Sequence, residues 1–434
     1  MSRWVALVVL CTGTLMVVLD GSIVAVALPA IGRDLGFGGA GLAWVVNAYL
    51  IAFGGLLLLA GRIGDLVGRR RTFTAGLVLF TLASLACGLA DSAAVLVAAR
   101  FVQGIGGAAA SAVALGMLVT LFPEPADRAK ALGVYSFTQA AGSSIGLILG
   151  GVLTEAVGWH WIFIINVPIG AAAVALVPRL FAADRGLGPR AGADVPGAVL
   201  GTSGLMLAVY AIVGSSLVSG VPALVLLVAF VVRQMSAARP LVAPRLVHPA
   251  NLTMGLLVAG MFGFQFLTAL YLQGVLGYGA VATGLAFLPA PVLIAVVSLG
   301  LAGRLSARYG EKAVLAGGLL LIIAGLLLLA RVPADGRYAV HLLPALSLLG
   351  AGFGAAVVVL FARAMSGASD ADAGLASGIV NTTQQVGGAL GLAVLASVGA
   401  AWGYRAAFLG AAGFVLLALA STVERRRIMA TQRR

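Results

Sequence analysis

From residue 246 to residue 303 the chain runs for 58 residues without one Asp, Glu, Lys or Arg. As a single helix that stretch would be a rod of roughly 87 Å at about 1.5 Å per residue, nearly three times a hydrocarbon thickness of roughly 30 Å. It must fold back once, and the turn is legible at Gln273 to Gly284 (QGVLGYGAVATG). The run from 195 to 232 breaks likewise at Gly214 to Pro222 (GSSLVSGVP). Ten further runs fit one crossing each, with Asp20 and Arg100 as interruptions: 4–32, 35–61, 72–90, 92–123, 131–154, 156–178, 313–330, 338–362, 373–404 and 406–423. Ten single and two doubled runs predict fourteen transmembrane helices, an all-α polytopic membrane protein. Composition agrees: 61% of the 434 residues are hydrophobic and 9% charged, against roughly a quarter charged in a soluble domain. A water-soluble globule is excluded.

Basic residues near helix ends are retained on the cytoplasmic side. With the N-terminus inside, 22 of the 27 Lys and Arg are cytoplasmic, four are outside (Arg33, Arg331, Arg337, Arg405) and Arg100 lies within a span. Both termini are then cytoplasmic. The net charge of +13 reads as a topology signal and a match to anionic lipid, and no nucleic-acid partner is expected. The first apolar run is read as a retained span rather than a secretory signal, because it is long and carries Asp20. Cys11 and Cys87 fall in separate spans and imply no disulfide framework. No histidine or cysteine cluster has metal-ligand spacing, and neither a phosphate-cradling loop nor a nucleophile elbow occurs. The expectation is no enzyme, no metal and no cofactor.

An internal repeat divides the chain. GRIGDLVGRR from Gly61 to Arg70 matches GRLSARYGEK from Gly303 to Lys312 at an offset of 242. Gly133, Gln139, Gly142 and Gly146 match Gly378, Gln384, Gly387 and Gly391 at an offset of 245. Two matches at nearly one offset make spans 1–6 and 9–14 related halves. The expected division is 1–181, an N-terminal six-helix bundle; 182–245, a linker with two inserted spans; and 246–434, a C-terminal six-helix bundle with a basic cytoplasmic tail. Such halves are the scaffold of secondary transporters, whose substrate site lies near the bilayer midplane.

GRIGDLVGRRR from Gly61 to Arg71 resembles the loop 2-3 signature of the major facilitator superfamily, and RFVQGIGG from Arg100 to Gly107 looks like its fourth-span motif. LDGSIVAVALP from Leu19, WHWIFIINVPIG from Trp159, YLQGVLGYGAVATGLAFLP from Tyr271 and NTTQQVGGALG from Asn381 are similar to the fourteen-helix drug:proton antiporter subfamily. The resemblance spans nearly the whole chain. It departs at Leu147, where the fifth-span motif has proline, at His160 and Gln384, where arginine is common, and in spans 9–14, which hold no carboxylate.

Asp20 is the one acidic residue well inside a span, and an intramembrane ionisable group usually marks a pathway or proton site. Counted at about 1.5 Å per residue from the outer helix ends, Asp20 lies about 14 Å deep, Arg100 about 12 Å and Gln103 about 16 Å. The three can meet. Desolvation raises a carboxyl pKa whereas a guanidinium lowers it, so movement of Arg100 relative to Asp20 would switch proton affinity and couple it to conformation. The alternative is a permanent salt bridge that pins span 1 to span 4.

The loop resemblance implies a cytoplasmic gate of Gly61, Asp65, Gly68, Arg69 and Arg70, with Asp65 attracted to the positive N-terminal end of span 13 near Ala373. Arg69 and Arg70 are expected to pair with Glu124 or Asp127, and Arg71 reads as a topology charge. Asp370 and Asp372 would either cap span 13 or repel Asp65. Gly142, Gly146 and Gly150 recur every four residues and form one close-packing face. Gln103, Gln139, Gln265, Asn381, Gln384 and Gln385 are candidate walls of a substrate cavity, with helix-to-helix hydrogen bonding as the competing use. Trp159 and Trp161 read as interfacial anchors.

The resemblance implies a monomeric antiporter of the bacterial inner membrane, driven by the proton gradient, that exports small amphipathic compounds. A dedicated exporter of one native metabolite, a proton:nutrient symporter and a non-transporting membrane sensor remain as alternatives.

Overall fold

The computed structural model describes the chain outside residues 1–2, 183, 185, 189–191, 215, 238–239, 243, 334, 367–372 and 432–434. Nor are the side chains of 39–40, 125–126, 129, 136, 139–141, 143, 217, 244, 373–374 and 423–431 described. Every regular element among the described residues is helical. In hydrocarbon each backbone amide must be paired within its own segment or a closed barrel, and long uncharged runs settle on helices.

The chain divides into two compact units, Met1–Pro244 and Arg245–Arg434. The first holds α1 (Arg3–Asp34), α2 (Trp44–Val67), α3 (Arg69–Gly88), α4 (Ala93–Leu121), α5 (Pro125–Ala156), α6 (Trp161–Ile164), α7 (Asn166–Leu180), α8 (Val195–Val213) and α9 (Leu217–Ser236). The second holds α10 (Ala250–Gly274), α11 (Ala280–Phe287), α12 (Pro289–Val296), α13 (Ala302–Tyr309), α14 (Glu311–Leu329), α15 (Leu343–Met365) and α16 (Ala373–Thr431).

Twelve helical stretches are long and apolar enough to cross a membrane among the described residues, against fourteen expected. The difference has two sources. α5 offers only the shorter apolar stretch Ser144–Ala156. α16 joins the spans expected at 373–404 and 406–423 into one stretch, interrupted at Gly403, whose φ of +80° is not helical. The run of 58 residues does fold back, at residues 275–279 between α10 and α11.

Gly68 alone separates α2 from α3, and Gly310 alone separates α13 from α14. They are paired by the 242-residue offset and share a backbone conformation, φ +105° and ψ 136° at Gly68, φ +82° and ψ 148° at Gly310. Residues with a Cβ rarely adopt that region. The second repeat is equally physical. A Cβ on Gly146 would meet the Leu19 carbonyl of α1 at 3.0 Å, and one on Gly387 would meet Gly255 Cα of α10 at 2.8 Å. In both units a glycine face lets a later helix lie directly on the unit's first helix. α5 runs unbroken through Leu147, which is 3% exposed.

The inserted hairpin α8–α9 belongs to the first unit by packing. The Trp44 and Tyr210 rings lie 6.5 Å apart, and Leu59 of α2 is buried against Ala198 and Leu241. Asp194 clasps the hairpin at its base, accepting from Gly197 N at 3.1 Å, Arg233 Nε at 2.9 Å and Gln234 Nε2 at 2.9 Å. Burial alone would raise its pKa, but the bonds from Arg233, Gly197 and Gln234 outweigh it and hold the carboxyl below its ordinary value. The clasp is complete above the unfolded aspartate value of about 3.9, and it is lost only as pH falls through the lower folded value.

Substitution Gly146→Leu should force α5 off α1 and cost about 1–3 kcal/mol, as overpacking does. The thermal midpoint of purified protein in detergent should fall; an unchanged midpoint would mean the two helices do not need this contact.

Candidate functional site

Helices α2, α3 and α4 converge on Asp20 of α1. α4 presents Arg100 and Gln103 one turn apart, α3 presents Ser84 and Cys87 at the same spacing, and α2 presents the Val45 carbonyl and the Tyr49 ring. Arg100 Nη1 donates to Asp20 Oδ2 and, at 2.6 Å, to Gln103 Oε1. Arg100 Nε donates to the Val45 carbonyl at 2.9 Å. Gln103 Nε2 donates to Asp20 Oδ1 at 2.8 Å and to Ser84 Oγ at 2.8 Å, and Cys87 Sγ lies 3.6 Å from Gln103 Oε1. The guanidinium carbon sits 4.4 Å from the Tyr49 ring centroid and 5.6 Å from that of Phe163, within reach of cation–π attraction.

Asp20 and Gln103 are 0% exposed and Arg100 is 1% exposed, so the network is sealed in this conformation. Breaking such a pair from one side costs about 3–5 kcal/mol, whereas an apolar replacement of both is often neutral. A pair of this kind is therefore poorly explained by stability. What it can do chemically is trade a guanidinium partner for a proton.

The meeting of Asp20, Arg100 and Gln103 is as the depth count expects. One role is corrected: Gln103 does not line an open wall but ties both the oxygen and the nitrogen of its amide into the ion pair. Trp159 is also corrected. It is 4% exposed, stacks on His160 at 3.8 Å and donates its Nε1 to Asp34 at 2.8 Å, so it staples α1 to the α5–α6 turn; Trp161 is 48% exposed.

The α2–α3 turn differs more from expectation. Arg69 Nη2 reaches Asp65 Oδ1 at 3.4 Å, and its guanidinium lies against Gly116 of α4. Arg70 Nη1 donates to the Phe181 carbonyl at 2.9 Å, while Asp127 pairs with Arg3 at 2.5 Å. The pairing of Arg69 and Arg70 with Glu124 or Asp127 is therefore corrected: those acids lie at the start of α5, and the segment after α7 reaches the arginines first. Asp184 caps α3, taking Arg69 N on Oδ2 at 2.5 Å and Arg70 N on Oδ1 at 3.1 Å. Leu187 N donates to the Asp65 carbonyl at 2.8 Å and Gly188 N to that of Leu66 at 3.0 Å. Gly68 admits this strap, since a Cβ there would meet the Asp184 carbonyl at 2.9 Å. Gly61 faces Ala112 at 3.8 Å. A cavity of about 620 Å³ opens beside the turn, bounded by Asp65, Arg69, Met117, Leu121, Phe181 and Leu187. Its acids and bases are already matched, so it offers no net charge to a ligand.

Of the remaining polar positions, Gln265 is half-buried on α10, and Asn381, Gln384 and Gln385 are half-buried on α16. Asn381 Nδ2 donates back to the Ser377 carbonyl at 3.1 Å, and Gln385 Oε1 has no hydrogen-bond partner among the described residues. The Gln139 side chain, and Asp370 and Asp372, lie outside the described residues. On α5, a Cβ at Gly142 would meet Leu15, at Gly146 Ser22 and at Gly150 Ile23, so all three face α1. Ser84, Tyr49, Phe163 and Asp184 carry no sequence signal of their own. Only the i, i+3 spacing of Ser84 and Cys87 could have marked one face of span 3.

The chain belongs to the Major Facilitator Superfamily, whose family description matches residues 10–392. It is 42% identical over 411 residues to the puromycin resistance protein pur8 of Streptomyces alboniger, covering 91% of this chain and 82% of that one. It is 40% identical over 411 residues to the cephamycin export protein CmcT of Amycolatopsis lactamdurans, covering 91% and 84%. In fold it is similar to an auto-inhibited POT family peptide transporter, with a TM-score of 0.74 at 17% identity over 98% of this chain and 97% of that one. It is a multi-pass membrane transporter, not an enzyme.

Substitution Asp184→Ala should remove the cap of α3, an effect of about 0.5–2 kcal/mol. Amide exchange at Arg69 and Arg70 should quicken about 2- to 30-fold; unchanged exchange would mean that the strap does not hold the turn.

Proposed function

We propose that this chain is a proton-coupled exporter of small amphipathic compounds that works by alternating access. Asp20 carries the proton and Arg100 is its counter-charge. The observation that carries the reading is the sealed Asp20–Arg100 pair with its Gln103 bridge. The names of the relatives, puromycin resistance and cephamycin export, support efflux as the direction.

The cycle follows from electrostatics. While Asp20 is ionised, Arg100 and Gln103 hold it and α1, α2, α3 and α4 stay gathered. A proton removes the carboxylate's attraction for the guanidinium, the desolvated pair separates at lower cost, and the helices are released toward a second arrangement. No cofactor is needed, because the proton gradient supplies the work.

The same reading assigns fourteen spans, with α5 as one crossing and α16 as two divided at Gly403. Residues 1–181 and 246–434 are its related halves and 182–245 its insertion. The chain is a functional monomer of a bacterial inner membrane with both termini cytoplasmic. Gln139, Gln265, Asn381, Gln384 and Gln385 touch substrate, and Gly61, Asp65, Gly68, Arg69 and Arg70 form the cytoplasmic gate. Relatives named for one compound each favour a second reading, export of one dedicated product, so puromycin and cephamycin are the first probes of a wider panel. Proton-driven uptake of the panel into inverted vesicles tests both: many substrates mark a multidrug pump, a single one a dedicated exporter, and none overturns export.

Asp20→Asn should keep compound binding but lose pH-driven transport, since an amide does not titrate; undiminished transport would refute the assignment. Arg100→Ala removes the positive charge that favours the ionised carboxyl, so protonation becomes easier and the pH profile of transport should move upward. A profile that stays in place or moves down would mean that the two do not titrate together. For the gate, Asp65→Asn should raise thiol labelling of a cysteine placed near the C-terminal end of α2, and unchanged labelling with unchanged transport would leave Asp65 as a topology charge.

A further inference from the structure

Asn166 heads the buried face of α7, followed on that face by Gly170, Ala173 and Val177. It is 1% exposed, and neither amide atom of its side chain has a hydrogen-bond partner among the described residues. Buried polar groups are costly to leave unpaired and are rarely left so.

Its neighbours fix its level in the unit. One turn toward the N-terminus, the Phe163 ring lies 5.6 Å from Arg100 Cζ. One turn toward the C-terminus, a Cβ on Gly170 would meet the Met16 methyl of α1 and Thr81 Cβ of α3, each at 3.0 Å. Gly88 packs on Ile164 while Thr81 packs on Gly170, so α3 runs antiparallel to α6 and α7. Leu7 and Leu10 share a core with Ala173 and Val177, so α1 does too. The step from Gly170 to Asn166 thus matches the step from Met16 to Asp20 and from Thr81 to Ser84. Asn166 stands at the level of the ion pair, between two residues that touch its surroundings.

The ionised network has no use for another acceptor: Asp20 receives Arg100 on Oδ2 and Gln103 Nε2 on Oδ1. A protonated carboxyl is different, because its O–H needs an acceptor. Gln103 turns its nitrogen toward Asp20, and its oxygen is already engaged by Arg100 and Cys87. The titratable groups facing Asp20 are Arg100 from α4, Tyr49 from α2 and Cys87 from α3. α5 presents glycine at this level, Gly142 and Gly146, and α7 presents Asn166.

We propose that Asn166 is the positioning residue for protonated Asp20, its amide oxygen accepting the new O–H when the carboxyl lets go of Arg100. The inference rests on Asp20 as proton carrier, and infrared spectroscopy separates the two. Acid-minus-alkaline difference spectra of the full chain in phosphatidylethanolamine–phosphatidylglycerol vesicles should contain a protonated-carboxyl band that Asp20→Asn removes. Asn166→Leu, similar in shape but without an acceptor, should change the frequency of that band and lower by about half to one unit the pH at which it appears. Asn166→Ser, which keeps an acceptor oxygen at shorter reach, should show a smaller displacement of both, and it carries the test should the leucine variant fail to reach the membrane. No Asp20-dependent band in the unaltered chain would overturn the proton-carrier reading and this inference with it. A band present but unmoved in the Asn166 variants would overturn this inference alone and make Asn166 a packing residue.

Discussion

A carboxylate and a guanidinium sealed from water are the constraint on which the first unit is organised. Inside a low-dielectric bundle each charge must be answered by named atoms, because no solvent is present to do so. Arg100 is answered by Asp20, Gln103, the Val45 carbonyl and two aromatic faces. Those answers come from α1, α2, α4 and α6, and Gln103 recruits α3 through Ser84. Small residues on α4 make the approach possible: a Cβ on Gly104 would meet the Ala52 methyl at 2.9 Å, and one on Gly107 the Tyr49 hydroxyl at 3.1 Å. Changing the charge state of one carboxyl therefore alters the reason for several helices to meet.

The two units share backbone features without sharing the chemistry of their charges. Gly68 and Gly310 share a left-handed backbone, and the glycine faces of α5 and α16 lie on α1 and α10 in the same manner. Close packing and tight turns depend on what a residue lacks, so they survive wherever glycine is kept. Charges are not repeated in this way. Ala307 stands where Asp65 would recur, and the one carboxylate on α10 to α15 is Glu311, at the first position of α14. Even the two turns are held differently. Asp184 reaches back to cap α3, whereas α14 starts with its own Glu311, paired to Arg363 of α15 at 3.2 Å.

Asp184 also shows where reading along the chain stops. It sits more than a hundred residues from Arg69, in a segment with no hydropathy signal, and only folding brings it to the N-terminus of α3. Arg69 and Arg70 were legible as the basic residues of a motif, but their partners were not, because many acids lie within reach in sequence while Asp65 and Asp184 are the ones that meet them in space. Gln103 was legible as a polar group at the right depth, and its rotation into the ion pair rather than toward an open wall was not. Asn166 sat inside a readable motif without distinction, since its meaning lies in the unpaired burial of its amide.

The amino-acid sequence by itself determined the membrane class, the fold-back of the 58-residue run, the repeat and the meeting of Asp20 with Arg100. These depend on hydropathy, rise per residue and self-similarity, which are properties of a segment alone. The tertiary structure decided who pairs with whom: Asp184 with α3, Asp127 with Arg3, Trp159 with Asp34 and Gln103 with both members of the ion pair. Those choices depend on which face of one helix meets which face of another, and that is set by the summed packing of all the helices around them.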